Sequence, residues 1–163
     1  MQHFTAVLLT SVALVLVVSS CGGLSPTDVP PPSVLQGTVT FANDWPDSNV
    51  NQVLVVALEA KPTSPDSILA AVLSGRAIFS EALPTYTTEA PYEVEIPGAP
   101  RTFTYVVVAM QNGPNILTDW LMLDVYSPVN DPAQPGTVIV DVGQTVTINF
   151  AVDFNNLPPQ PFE

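Results

Sequence analysis

The chain reads as an all-β protein, an antiparallel β-sandwich of about seven short strands. Three observations predict it. From Val34 onward apolar residues recur at every second position, which puts one face of each segment in a core and the other in water. Two runs, 53–58 and 105–110, are apolar on both faces and read as central strands covered from both sides. Clusters of Asn, Asp, Gly and Pro separate the runs and supply turns.

Along the chain, the first strand alternates Leu35, Val39 and Phe41 with Gln36, Thr38 and Thr40. Asn43-Asp44 and Pro46-Asp47 then turn the backbone toward the central run 53–58. The next segment departs from the β pattern. Pro65-Asp66-Ser67, followed by Ile68-Leu69-Ala70-Ala71-Val72-Leu73, predicts a short helix near residues 66–74 ended by Gly75. The competing reading is a further strand running to Leu83. Tyr92, Val94 and Ile96 alternate with Glu93 and Glu95 in the next strand, which Pro97-Gly98 closes. After the run 105–110, Asn112-Gly113-Pro114 turns into a strand at 118–126, where Trp120 is expected in the core. Asp131-Pro132 and Pro135-Gly136 precede a strand at 137–141. Val142-Gly143-Gln144 predicts a tight hairpin into a last strand carrying Val146, Ile148, Phe150 and Val152.

Gly37-Thr38-Val39-Thr40-Phe41, Val53-Leu54-Val55-Val56-Ala57-Leu58, Pro91-Tyr92-Glu93-Val94 and Tyr105-Val106-Val107-Val108-Ala109 follow one another in order. Together they resemble the carboxypeptidase regulatory-like domains, which belong to the transthyretin-like (prealbumin) sandwiches. The resemblance covers residues 34–110 and rests on core β pattern. It implies a transthyretin-like or immunoglobulin-like sandwich with no catalytic residues, of a kind used for packing, adhesion or ligand binding. The chain departs from the family in having no companion domain and in a long insert around residues 64–88.

Before the sandwich lies an apolar run at 4–18, shorter than the roughly 20 residues a spanning helix needs. It ends in Val18-Ser19-Ser20-Cys21, followed by Gly22-Gly23. A short hydrophobic segment, two small residues and a thiol are what lipoprotein processing requires. The four residues resemble the lipobox of bacterial lipoproteins, which implies cleavage before Cys21 and lipidation of its sulfur. A plain secretory leader with a free thiol and an uncleaved anchor are the competing readings. Met1-Gln2-His3 departs from the family in having no Lys or Arg. By the same resemblance, Gly22 in place of Asp favours the outer membrane over the inner. The expected organisation is a signal peptide at 1–20, a lipid anchor and Pro-rich tether at 21–33, the sandwich at 34–154, and a Pro-rich tail at 155–163.

Composition limits the chemistry. The net charge is −12, with 15 acidic residues against Lys61, Arg76 and Arg101. Such a surface repels phosphate backbones, which argues against nucleic acid. It also predicts a domain standing off anionic headgroups. Cys21 is the one cysteine and His3 the one histidine. Once the leader is removed and the sulfur acylated, Ser-His-Asp and Cys-His catalysis and the usual zinc ligands have no residues to use. Paired carboxylates are the remaining enzymatic option, with Asp119, Asp124 and Asp153 as candidates. The expectation is a protein that is not an enzyme.

Two binding sites remain as candidates. Calcium needs oxygen ligands from a loop, and Asn43, Asp44 and Asp47 crowd one turn, with Asn130-Asp131 and Asp153, Asn155 and Asn156 as further groups. Asn and Asp also populate turns for backbone reasons alone. Trp45, with Tyr86, Tyr126 or Trp120, could stack on a sugar ring, or Trp45 could plug the sandwich end. The tail Leu157-Pro158-Pro159-Gln160-Pro161-Phe162 reads as an arm packed on the sandwich edge, or as a polyproline ligand. The composite expectation is a lipid-anchored structural or protein-interaction module of the cell envelope, with a glycan-binding module as the alternative.

Overall fold

Ten strands and one helix form in a computed structural model that describes residues 30–47 and 49–162. The lipobox and Cys21 lie outside the described residues. The first sheet is built on β1 (Val34–Ala42), which pairs antiparallel with β4 (Glu89–Glu95). On its other side β1 pairs with β9 (Thr145–Thr147) and then β10 (Phe150–Asp153). The second sheet has the order β3 (Ala77–Phe79), β2 (Gln52–Leu58), β6 (Tyr105–Gln111), β7 (Trp120–Val125), all antiparallel. A short ladder joins β5 (Arg101–Phe103) to β8 (Val138–Val140).

The facing sides of the two sheets share one core. Leu35, Val39, Ala90 and Val94 meet Val53, Val55, Val106 and Val108, and Phe103 and Val140 close it from the short ladder. Each fully buried side chain of this size contributes about 1.5–3 kcal/mol. The central strands β2 and β6 bury their outer face as well, through Val56, Leu58, Tyr105 and Val107. That is the two-sided burial their unbroken apolar runs require.

Helix α1 (Pro65–Leu73) forms where expected. Ser64 caps it by accepting from the Ser67 backbone N–H, and Gly75 leaves it with φ +68°. The competing strand reading also has a counterpart, because β3 follows at once. The Ser80 and Leu83 N–H groups then donate to the Val55 and Val53 carbonyls and prolong that edge.

Two features of the C-terminal third differ from expectation. Asp141 and Gln144 close a turn, but its arms separate: β8 joins β5 while β9 joins β1, so no hairpin forms. The last strand is also split, and both halves run parallel to β1. Gly37 accounts for the break. A Cβ there would stand 1.7 Å from the Ile148 carbonyl oxygen. That oxygen turns away from the ladder and accepts the Tyr92 hydroxyl at 2.8 Å. Thr38 then donates its N–H to the Asn149 side chain instead of to backbone, and the ladder resumes at Phe150.

Trp120 is a further correction. It stands half-exposed at the start of edge strand β7, with its Nε1–H donated to the Ile116 carbonyl, while Met122, Leu123 and Val125 are buried. Gly37→Ala is expected to cost about 3 kcal/mol or more, because the carbonyl it strikes is backbone. Tyr92→Phe is expected to cost about 1–3 kcal/mol by stranding a buried acceptor. Urea unfolding midpoints check both.

Candidate functional site

The two long flanks of the sandwich are finished differently. On one flank the edge strands are β7 and β10. Asp124 of β7 accepts the outward N–H of Ala151 on β10 through Oδ2, and the Val125 N–H through Oδ1. Gln160 of the tail lies against β7, its side-chain oxygen accepting the Met122 N–H and its Nε2 donating to the Met122 carbonyl. A carboxamide thus substitutes for a neighbouring strand and blunts the edge. Leu157 packs on the core and Phe162 stays exposed, so the tail is an edge arm held by Leu157 and Gln160.

The opposite flank is open. Its edges are β3 and β4. Phe41 donates to the Thr88 carbonyl and Ile96 to the Ser33 carbonyl. Backbone groups of an antiparallel strand alternate in direction, so the even-numbered residues of β4 face β1 and Glu89, Pro91, Glu93 and Glu95 face outward. Pro91, which has no N–H, falls on the outward set, as an edge strand tolerates. Among the described residues, one of these outward groups has a side-chain partner: the Glu89 carbonyl, which accepts the Thr87 hydroxyl. Between this edge and the segment after β3 runs a groove of about 560 Å³, lined by Phe79, Glu81, Leu83, Tyr92, Glu93 and Glu95 among others. Its backbone offers strand-pairing groups and its rim is acidic.

The far end of the sandwich gathers residues the sequence had placed in separate groups. Trp45 packs at 4.6 Å from Phe41 and 4.8 Å from Phe154, and donates its Nε1–H to the Thr87 carbonyl. It therefore closes the end of the core. Tyr86 lies over it at 5.5 Å, 58% exposed and at φ +57°. Trp120 and Tyr126 are not part of this group. Asn43 donates through Nδ2 to Asp153, whose carboxylate also accepts the Asn155 N–H. Asp44 and Asp47 are exposed in the turn that follows Asn43, and the described residues include no group of three acidic, His or Cys side chains placed to hold a metal. Asp131 belongs to a different turn, where the Gln134 amide, and then the Ala133 N–H, hold its carboxyl below the usual range.

The three carboxylates considered for hydrolysis are each engaged locally. Asp119 accepts the Asn115 N–H and the Thr118 hydroxyl, Asp153 holds its Asx turn, and Asp124 bridges the closed flank. Asp124 also lines a smaller pocket of about 370 Å³ with Asn130, Asn149 and Phe150. Burial pushes its carboxyl up, against the lowering pull of the Ala151 and Val125 N–H groups.

No known protein family, curated protein or solved structure matches the chain. The open flank was not visible in the sequence, because whether a strand lies at an edge is a property of topology. The one local signal was Pro91 inside an alternating strand.

The raised carboxyl of Asp124 sets a pH dependence. The native state binds this proton more tightly than the unfolded chain, so the associated stability is present in full below the ordinary Asp range. It is lost as pH rises through the higher folded value. Asp124→Asn removes the effect. Wild-type stability relative to the variant is expected to fall as pH rises from about 3.9 toward neutrality. Urea midpoints for the two proteins across that range measure it.

Proposed function

We propose that this chain is a lipid-anchored lipoprotein of the cell envelope, on the outer membrane, whose β-sandwich is a non-catalytic protein-interaction module. Val18-Ser19-Ser20-Cys21 supports the anchor, with Cys21 as the lipidated residue. The resemblance to carboxypeptidase regulatory-like domains is supported by the pairing of Gly37–Phe41 with the Pro91–Val94 strand in one sheet, and of β2 with β6 in the other.

The open β3/β4 flank carries the interaction reading. An extended segment added beside β4 would take main-chain hydrogen bonds from Glu93 and Glu95, as in other β-addition complexes. Glu81, Glu93 and Glu95 select its charge. A second copy of this chain would set carboxylate against carboxylate across the new ladder, whereas Lys or Arg would be complementary. The partner of this reading is therefore a basic extended segment of another envelope protein.

A second reading has its own observation. Tyr86, exposed and held at positive φ above Trp45, forms with it a small aromatic surface at the far end, the kind of surface on which a sugar ring stacks. The two rings meet at 40°, so they do not form one flat platform.

Palmitate labelling is expected in the wild type and absent in Cys21→Ser; equal labelling would remove the anchor from the proposal. A Lys-rich extended peptide is expected to slow amide exchange at Glu93 and Glu95. Its affinity for the wild type is expected to fall with added salt, and to fall on the order of tenfold at low salt in the Glu93→Lys/Glu95→Lys double variant. Glycan binding that depends on Tyr86, with no response to the peptide, would favour the second reading.

A further inference from the structure

We propose that α1 and the cations around it form a membrane-contact surface, by which the domain rests on the bilayer that holds its anchor. The inference rests on the proposed lipidation of Cys21.

Its first support is an uncovered apolar helix face. No residue of α1 is buried, and Leu69, Val72 and Leu73, spaced three and four apart, are 40%, 39% and 78% exposed. The other side of the helix is where it meets the domain, through Ala71 and β3. Nine residues are far too few to cross a membrane, so contact of α1 with a bilayer would be interfacial.

The second support is charge. The chain has three Lys and Arg residues, and all of them surround this helix. Lys61 precedes it, with its ammonium 5.9 Å from the Tyr105 ring centroid. Arg76 follows it and reaches the Ser74 hydroxyl. Arg101 donates to the Gly75 carbonyl at the end of α1 and to Glu59 at 2.7 Å. The nearby acids are Glu59, already paired, with Asp66, Glu95 and Asp141. Three cations against these four acids leave this end at about −1, out of a net charge of −12 for the chain. Total charge predicts repulsion from headgroups; its distribution leaves one end with little of it. Lys61 and Arg76 can keep their heads among lipid phosphates while their stems lie along apolar surface.

The third support is where the chain enters the domain. Ser33 accepts the Gly143 N–H through its hydroxyl. Three residues before Gly143, Val140 pairs with Arg101, whose guanidinium reaches Gly75. Entry to β1 and the end of α1 thus share one end of the sandwich. Residues 22–33, however folded, span no more than roughly 40 Å. The end that faces an anchored bilayer is the one displaying Leu69, Val72 and Leu73. Three apolar side chains bind a bilayer weakly from solution, but the tether makes contact intramolecular and raises the effective concentration.

The test uses the full-length acylated protein in phosphatidylcholine vesicles. In Leu73→Cys the new thiol is the one free sulfur, because Cys21 is acylated, and it takes an environment-sensitive fluorophore. Emission is expected to shift to the blue and to be quenched by brominated acyl chains. Leu69→Asp in the same labelled chain is expected to lose most of both effects, while circular dichroism and the urea midpoint stay unchanged. Water-like emission from protein that floats with the vesicles would overturn the inference and leave the anchor intact. A shift that appears only when envelope proteins are added would also overturn it, in favour of a protein partner. Two labelled thiols and no flotation would overturn the anchor and this inference together.

Discussion

The contact between the Tyr92 hydroxyl and the Ile148 carbonyl, made over the bare Cα of Gly37, organises the first sheet. Tyr92 is directly opposite Gly37 in the β1–β4 register, so the missing side chain leaves room for its ring and for the approaching carbonyl. Burial holds the Tyr92 phenol well above its ordinary range, which keeps it a hydrogen-bond donor at any physiological pH. The cost of burying a carbonyl that has left its ladder is thereby met within the core. The return is topological. The last strand can lie parallel along the same strand that β4 pairs antiparallel, and Phe150 and Val152 reach the core beyond the break.

Once β9 and β10 occupy that side of β1, the two flanks must be finished by different means. β10 comes to lie near β7, and Asp124 and Gln160 supply the hydrogen bonds that a further strand would have made. Nothing comparable lies along β4 among the described residues. Natural sheets usually blunt such edges with charge and proline, and Pro91, Glu93 and Glu95 do so against self-pairing. The same groups leave the edge available to a chain of opposite charge. On the proposed reading, protection from aggregation and selection of a partner are two consequences of one set of side chains.

Much of this was legible in the sequence because local pattern dictates it. Alternation in β1 and β4, the two-sided runs of β2 and β6, and the Pro65-Asp66 start of α1 each reflect forces acting within a few residues. What was not legible depends on contacts made far along the chain. The Val142-Gly143-Gln144 turn is real, but its arms take their partners from β5 and β1, strands distant in the chain. Trp120 looked like core because strand periodicity does not say where a sheet ends. Asn43 and Asp153 read as separate turns, 110 residues apart, yet β10 carries one to the other. The apolar residues of α1 read simply as good helix formers; that they would face outward depends on how little of the helix the sheet can cover.

The surfaces that remain are arranged along one axis. α1, Lys61 and Arg76 lie at the end where the chain enters, and the Trp45–Tyr86 cluster lies at the opposite end, beside the last residues of β1. β4 runs between them, with Glu89 toward the aromatic end and Glu95 toward the entry end, opposite Val34. With α1 on a bilayer, as proposed, β4 would rise from Glu95 near the lipid to Glu89 away from it, and a segment paired with it would be led outward from the surface. Negative charge then has a directional effect as well as a solubilising one. On that reading it would disfavour laying the acidic flank on the headgroups, while the near-neutral end is where apolar contact would meet least repulsion. If the proposed anchor holds, an acidic domain on a short tether would be oriented by exclusion as much as by attraction, with three exposed aliphatic side chains choosing its face.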